Sequence, residues 1–483
     1  MKKIVMMTAV ALLGAAASAT TYTGLLSTNG GEPVEAIATV TEQSGRYTIS
    51  LGEAAIENVS AATTGSVTVM FAHREGVKVS ARLNSANGAL VIDMATAGQS
   101  MRFSNADTKF QMPNSDFETW TSATPEPRYW HSFKSASGGL AAFAPGKIDS
   151  SAEVRPGSKG RNSVVISSGM VFGVVGNGTL TSGRLNAGST QAANPANHAE
   201  TYASNSTTQT DKNGDLFVTP MWAAPDSLTL WLKFKQGTPQ ETYKYATLNA
   251  VLTDATAYQD PEDKAYTNVA AKATNRQIAA CEWSKLSLPF DYAAYVANSV
   301  EVKAILITAS TNAVPGKGSK GDKVWLDDLA LVYNTPSVTD IKLNGSTLDG
   351  FNPAIDEYAI DGYEGEAPTA SNFQVTTANA VGAVVGIIVE ATDMGYVASI
   401  NALSGDLATA KTYVVTLNKK SPAINGDLNQ DGIVDETDVT ALVNKILGSE
   451  TSLQDSLCDL NGDGAIDVAD LNELINIILN PSK

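Results

Sequence analysis

Cysteine is nearly absent: the 483 residues hold two, Cys281 and Cys458, in different proposed modules, so disulfide bridges do not account for the stability of the chain. Histidine is scarce too, and His73, His131 and His198 are scattered. His198 has Glu200 two residues on, but neither HExxH nor another zinc spacing occurs, which argues against a metal hydrolase. A GxSxG elbow and a phosphate loop are equally missing. Basic residues are outnumbered, 33 Lys and Arg against 50 Asp and Glu. The net charge of −17 disfavours nucleic acid as a partner and suits a soluble extracellular protein. Beyond the first 19 residues no apolar run approaches a membrane span, so membrane insertion is not expected.

What is present begins with Lys2-Lys3, an apolar stretch from Ile4 to Ala17, and the small-residue site Ala17-Ser18-Ala19. These predict a cleavable signal peptide over residues 1–19 and a mature chain starting at Thr20. No cysteine lies near the cut to carry a lipid. The expected location is secreted, extracellular or within a cell-surface assembly, with the periplasm as the alternative.

Near the other end one pattern occurs twice, 32 residues apart: Asp427, Asn429, Asp431, Gly432, Asp435, Asp438, then Asp459, Asn461, Asp463, Gly464, Asp467, Asp470. Oxygen side chains fall at loop positions 1, 3, 5, 9 and 12, with glycine at 6 and the backbone carbonyl of Ile433 or Ala465 free to serve position 7. A hard divalent cation that takes six to eight oxygens explains the spacing and the glycine together, so two Ca2+ ions are expected. After each loop the apolar residues switch to helical spacing: Val439, Leu442, Val443, Ile446, Leu447, and Leu471, Leu474, Ile475, Ile478, Leu479. Gly448 and Asn480 follow where a left-handed C-terminal cap is expected. No amphipathic helix precedes the first loop, since residues 421–426 read as a linker, whereas a full EF-hand needs that entering helix.

Loop plus one helix, twice over, with Asp rather than Glu at position 12, resembles a dockerin type I module across residues 424–483. The resemblance implies a cohesin-type partner. Positions 10 and 11, which in dockerins help to choose the cohesin, are Glu436-Thr437 in one copy and Val468-Ala469 in the other, so the two partner-facing surfaces are not interchangeable. A calcium-stiffened tail without a partner is the alternative.

Between the ends the chain reads as mainly β and multi-domain. Residues 20–106 give strand-like runs at Arg46–Leu51, Val67–Phe71, Val77–Leu83 and Ala89–Met94, separated by polar and glycine-rich turns. With the opening Thr21-Tyr22-Thr23-Gly24-Leu25-Leu26 they resemble a calycin-like β domain; a small barrel and a plain sandwich both stay open. Residues 108–334 start at Asn114–Trp120 and close at Val324–Tyr333, with runs at Asn162–Ile166, Leu228–Phe234, Ala246–Leu252, Lys285–Leu288 and Val302–Thr308. An opening "DFE" and closing "DD" resemble the jelly-roll β-sandwich of carbohydrate-binding modules, in which first and last strands pair. Gly178–Gly183 and Pro220–Lys235 further resemble the family called "putative carbohydrate metabolism domain". Residues 183–215, rich in Ser, Thr, Asn and Ala, read as one long surface loop. Residues 337–420, with Ile341–Gly345, Leu348–Pro353 and Tyr358, resemble a cadherin/Ig-like β-sandwich, a type of module that serves as a spacer.

The chemistry of the middle is less determined. Glycoside hydrolysis needs two carboxylates about 5–5.5 Å or about 6.5–9.5 Å apart, and sequence spacing does not rank Glu118, Asp254, Asp260 or Glu282 for it, so no catalytic residue is singled out. Glycan binding asks for an exposed aromatic platform flanked by polar groups. Trp130, beside Tyr129 and His131, and Trp222, in Pro220-Met221-Trp222, are the tryptophans least embedded in strand-like runs and are the candidate contacts. Trp231, Trp283 and Trp325 are expected in the core. By the carbohydrate-binding resemblance, Glu118 with Asp327 or Asp328 would share a third, structural calcium, a solvated edge being the alternative. The reading is a secreted, non-catalytic carbohydrate-binding or polysaccharide-utilisation protein that docks on a cohesin-type partner. The alternatives are a hydrolase of glycosidic bonds with its active site in 108–334, and a structural or adhesive surface protein.

Overall fold

The computed structural model describes residues 18–480 except 53, 75, 97, 107, 172, 202–208, 420–423 and 450–452. The expected leader up to Ala17 and the linker residues 421–423 lie outside the described residues.

The first β domain is a closed barrel rather than a sandwich. Its strands are β1 (Ser18–Thr28), β2 (Val34–Gln43), β3 (Arg46–Leu51), β4 (Ala54–Thr64), β5 (Val67–Arg74), β6 (Val77–Asn84), β7 (Ala89–Thr96) and β8 (Gln99–Ser104), each paired with the next. Closure comes from antiparallel pairing of β1 with β8, from Leu25 opposite Ser104 to Thr28 opposite Met101. Tight turns let eight strands fit in so short a segment. Ser44-Gly45, for example, has φ of 54° and 77°, the left-handed pair that a two-residue hairpin with native twist requires. Ile49, Val79, Leu90, Ile92 and Phe103 are 0% exposed and form the inward core. The opposite parity on β5 and β7, Val67, Val69, Phe71 and Val91, packs with Ile388, Leu403 and Leu407. β4 had no clean alternation in the sequence because Asn58 takes φ 57° and the register against β3 shifts there.

Residues 108–334 form a β-sandwich. One sheet runs Cys281–Pro289, Ser227–Lys235, Lys323–Val332, Ser163–Ser167, Lys147–Ser151; the other runs Thr179–Thr181, Ala304–Ser310, Ala246–Thr253, Val269–Ile278, with Thr219–Pro220 also on Ala304–Ser310. Leu228, Leu230, Leu232 and Phe234 alternate inward to meet Leu248, Ala250, Leu252, Ile305 and Ile307 in a buried apolar core. The expected opening strand is not one. Asn114 and Phe117 have φ of 47° and 56°, which a strand cannot carry, and the Asn114 side chain instead ties a turn by accepting from the Thr119 N–H at 2.9 Å and donating to the Thr119 carbonyl at 2.9 Å. The segment still meets the closing strand: Leu329 N–H donates to the Ser115 carbonyl at 3.0 Å, and the Gln111 amide brackets the backbone of Leu331 at 2.8 and 2.9 Å. Nor is 183–215 one loop. Arg184–Ala187 and Asn197–Thr201 pair with each other, and Tyr258–Asp260 adds a third strand.

The remainder divides between two compact units. The barrel and sandwich, with residues 372–388 and 399–413, belong to one, in which Ser346–Thr347, Ser337–Leu343 and Phe373–Ala378 make a three-stranded sheet. The other takes in residues 356–371, 389–398 and 414–483. There Glu357–Tyr363 pairs in parallel with the C-terminal half of Ala410–Lys419. Three helices follow: α1 (Glu436–Ile446), the short α2 (Asp455–Cys458) and α3 (Val468–Leu479). Leu428, Leu442, Cys458 and Leu474, each at most 2% exposed, are their core, and Cys458 packs rather than presents its thiol.

Candidate functional site

Each calcium loop is shaped by its own carboxylates before any cation is considered. Asp427 accepts from the N–H groups of Asp431 (3.1 Å) and Gly432 (2.9 Å), and Asp431 accepts from that of Ile433 (2.9 Å). Asp438 accepts from Leu428, Asn429 and Asp435 at 2.8, 3.1 and 3.0 Å. The second loop repeats this: Asp459 on Asp463 and Gly464, Asp463 on Ala465, Asp470 on Leu460, Asn461 and Asp467. Gly432 and Gly464, at φ 90° and 85°, make the turn that a side chain would strain. Loop and helix share groups. Asp435 and Asp467 at position 9 are the N-caps of α1 and α3, and Asp438 and Asp470 at position 12 close the capping boxes. Asp438 and Asp470 are 0% exposed, and burial alone would raise the Asp470 carboxyl; four backbone N–H groups, those of Asp467, Asn461, Leu460 and Asp470 itself, outweigh it and hold the group below the ordinary carboxylate range.

An all-oxygen set of carboxylates, from the buried Asp438 and Asp470 to the exposed Asp431 and Asp463, with an Asn oxygen and a carbonyl, fits a hard ion such as calcium and does not suit zinc. The N–H groups orient the carboxylates and leave other lone pairs to face a cation. Glu436, Thr437, Val468 and Ala469 are exposed at the starts of α1 and α3. They differ in commitment: Thr437 donates to Asp435 at 2.6 Å and accepts from Asn429 at 3.0 Å, while Val468 is 60% exposed and apolar. Gly448 takes φ 73° and caps α1 as expected, whereas Asn480 has φ −126°, so α3 ends without a left-handed cap.

In the sandwich, Trp130 must be withdrawn as a glycan platform. It is 2% exposed, its ring centroid lies 5.2 Å from that of Phe117, and its indole N–H donates to the Pro113 carbonyl at 3.2 Å. Trp222 is 43% exposed. The expectation for Trp231 and Trp283 also needs correction, because both are half-buried. Trp231 has the parity of Lys233, not of Leu230 and Leu232, so it lies on the outer face beneath Arg155, 5.4 Å from ring to guanidinium. Trp325 is buried, at 8% exposure, but on that same outer face, covered by Lys233 and Lys323 at 5.6 and 6.0 Å.

Glu118, Asp327 and Asp328 come to the same end of that sheet but with partners of their own. Glu118 accepts from the backbone N–H groups of Arg161 (2.7 Å) and Asn162 (2.8 Å) and from the Asn162 amide (3.1 Å). Arg155 pairs with Asp328 and caps Asp327 through its backbone N–H at 3.1 Å. Asp116, Glu118 and Asp328 line an open cavity of about 470 Å³ with Arg155, Lys159 and Arg161, so acidic and basic side chains are balanced there. His198 and Glu200, 3.5 Å apart, sit with Arg184 in a structural ion-pair cluster.

Asp327, 1% exposed with one carboxylate oxygen unpartnered, has its carboxyl pushed up to about 6 by burial, with the charge of Asp328 adding to the effect and the N–H of Arg155 opposing it. A raised carboxyl stabilises the fold in its neutral form, fully below the unfolded value of 3.8, and that contribution is lost as pH rises through about 6. Asp327→Asn is therefore expected to raise the melting temperature at pH 8 and leave it nearly unchanged at pH about 4, as scanning calorimetry across pH would record.

Comparison with known proteins agrees at the C-terminus. Residues 425–479 match the family described as the dockerin type I domain. None of the curated proteins compared with the chain matches it. Among solved structures, a "putative glycoside hydrolase" from Bacteroides thetaiotaomicron aligns over 62% of this chain and 86% of its own, at 13% identity and a TM-score of 0.31. Another from Bacteroides vulgatus aligns over 57% and 95%, at 14% and 0.27. The protein SGBP-B, from a complex xyloglucan utilization locus in Bacteroides uniformis, aligns over 61% and 78%, at 12% and 0.20. Paired oxygen loops that double as helix caps, two packed helices and the family match give one conclusion: residues 425–479 are a dockerin type I domain, a type of domain that binds calcium and docks on cohesin.

Proposed function

We propose that the chain is a secreted, non-catalytic glycan-handling protein that holds two calcium ions in residues 424–483 and docks through them on a cohesin-type partner. The observation that carries it is the calcium-loop pair with its exposed helix starts. Val468-Ala469 is the face that docks, because it offers uncommitted apolar surface while Thr437 is held by Asp435 and Asn429. Burying a valine side chain contributes about 1.5–3 kcal/mol, so Val468→Asp is expected to weaken cohesin binding at least about tenfold. Glu436→Ala should stay within about threefold. Titration calorimetry of the full chain with a cohesin in calcium checks this, and the reverse order of effects would assign docking to α1.

The glycan role rests on Trp222 and the aromatic and charged outer face of the sandwich. A glycan array run beside an assay for reducing-sugar release on the same protein tests it. Binding without release supports the proposal, release would make residues 108–334 a hydrolase, and neither would leave a structural or adhesive role.

A further inference from the structure

Away from the calcium loops, one group of side chains in the sandwich unit is buried without the partners its charges need. Glu126, His131 and Asp211 each bring a ligand atom within 4.8 Å of the other two. Glu126 is 1% and His131 0% exposed, and the Asp211 side chain is 1% exposed. The imidazole is fixed on both sides. Nε2 lies 3.1 Å from the Leu216 carbonyl, which can only accept, so Nε2 carries the proton and Nδ1 the lone pair; Phe217 packs on the ring at 4.6 Å. That Nδ1 is buried and unpartnered, 3.9 Å from Oδ2 of Asp211.

The carboxylates are oriented in the same way. Glu126 Oε1 accepts from the N–H of Ser132 at 2.6 Å and from its hydroxyl, leaving Oε2 buried with no partner. Asp211 Oδ1 accepts from the N–H groups of Asn213 (2.8 Å) and Asp215 (2.9 Å), and Oδ2 accepts from the Asn213 amide (2.7 Å). The nearby cation is already committed, since Arg128 is paired with Asp215 at 2.8 and 2.9 Å. Two carboxylates thus face a neutral imidazole out of water, an arrangement that costs several kcal/mol per ion unless a positive charge sits among them.

We propose that Glu126, His131 and Asp211 form a buried structural site for one divalent transition cation of the zinc class. One imidazole nitrogen with two carboxylates suits zinc and not calcium, which takes oxygen ligands. Ligand atoms around a tetrahedral zinc lie about 3.3 Å apart; Nδ1 and Oδ2 are 3.9 Å apart and all three ligand atoms lie within 4.8 Å of one another, so the side chains would draw in by up to about 1.5 Å. Burial leaves a substrate no approach, which makes the role structural. The ion would staple segments that the sheets hardly hold: His131 has a single bridge to Thr181, and Asp211 lies in a turn closed by the Thr210–Leu216 bridge. In its absence, one proton shared between Glu126 and its neighbours would have to do the same work.

The test uses the full chain, stripped of metal, saturated with calcium to fill the C-terminal loops, then titrated with zinc against a chromophoric chelator. Uptake of one zinc per chain is expected, with a higher melting temperature. Glu126→Gln and Asp211→Asn should each lower zinc affinity by at least about a hundredfold, and cobalt should give a visible absorption band in the wild type that both variants lose. Should a variant fail to fold, the wild-type stoichiometry and cobalt spectrum still decide. No zinc uptake by the wild type, or uptake unchanged in the folded variants, overturns the site and leaves the shared proton.

Discussion

Removing calcium is expected to unfold residues 425–479 while the barrel and sandwich stay folded. The loops gather Asp427, Asp431, Asp435 and Asp438, then Asp459, Asp463, Asp467 and Asp470, and without a cation their repulsion opposes both turns. The same carboxylates begin the helices, so a loop that opens also uncaps α1 or α3, which at 11 and 12 residues are marginal on their own. An ion that binds only the folded form adds about 2.7 kcal/mol per site at a free concentration one hundred times its dissociation constant. Two sites double that, which is large beside a core of four fully buried side chains. Hydrogen exchange on the full chain should show α1 and α3 protected in calcium and exchanging freely in chelator. Within a loop the cost is uneven. Asp438→Ala loses a ligand and the bonds to three N–H groups, and should cost more than Asp431→Ala by roughly the 0.5–2 kcal/mol of a lost cap. Helices equally protected in excess chelator, with no calcium taken up, would refute the coupling.

Why this module was legible and other sites were not follows from how far apart the determining residues lie. A calcium loop needs its oxygens, its glycine and its helix cap within a dozen residues, so chemistry and spacing are written together at 427–438 and 459–470. Helical spacing alone said less: Leu447 and Leu479 continue the stripes but are 74% and 71% exposed, beyond the reach of any covering neighbour among the described residues. The barrel was half legible. Alternation marked β3 and strand-like runs marked β5 to β7, while the left-handed Asn58 blurred β4. Trp231 could have been placed from the sequence by parity, because Leu228, Leu230, Leu232 and Phe234 fix the inward phase and Trp231 is out of it. Glu126, His131 and Asp211 could not, since Asp211 lies in a stretch that reads as an unstructured loop and only the folded sandwich returns it to His131.

Trp130→Ala is expected to destabilise the sandwich by about 3–5 kcal/mol, the cost of a cavity where a buried tryptophan stood. The ring is among the largest fully enclosed side chains, and it anchors the coil from Asn114 to His131, where left-handed residues prevent strand pairing and side chains do the holding. Its contact with Phe117 at 5.2 Å and its N–H bond to Pro113 pin both ends of that coil to one point. Trp222→Ala removes an indole that is 43% exposed and should change stability by no more than about 0.5 kcal/mol. The pair therefore separates packing from recognition. Urea denaturation should place Trp130→Ala far below the wild type and Trp222→Ala beside it, while glycan binding under native conditions should fall for Trp222→Ala and, for Trp130→Ala, only in proportion to the unfolded fraction. Equal stability of the two variants would mean that Trp130 is not the anchor of the coil, and unchanged glycan binding by Trp222→Ala would move the platform to the outer face around Trp231 and Trp325, where Arg155 and Lys233 would have to swing aside to admit a sugar ring.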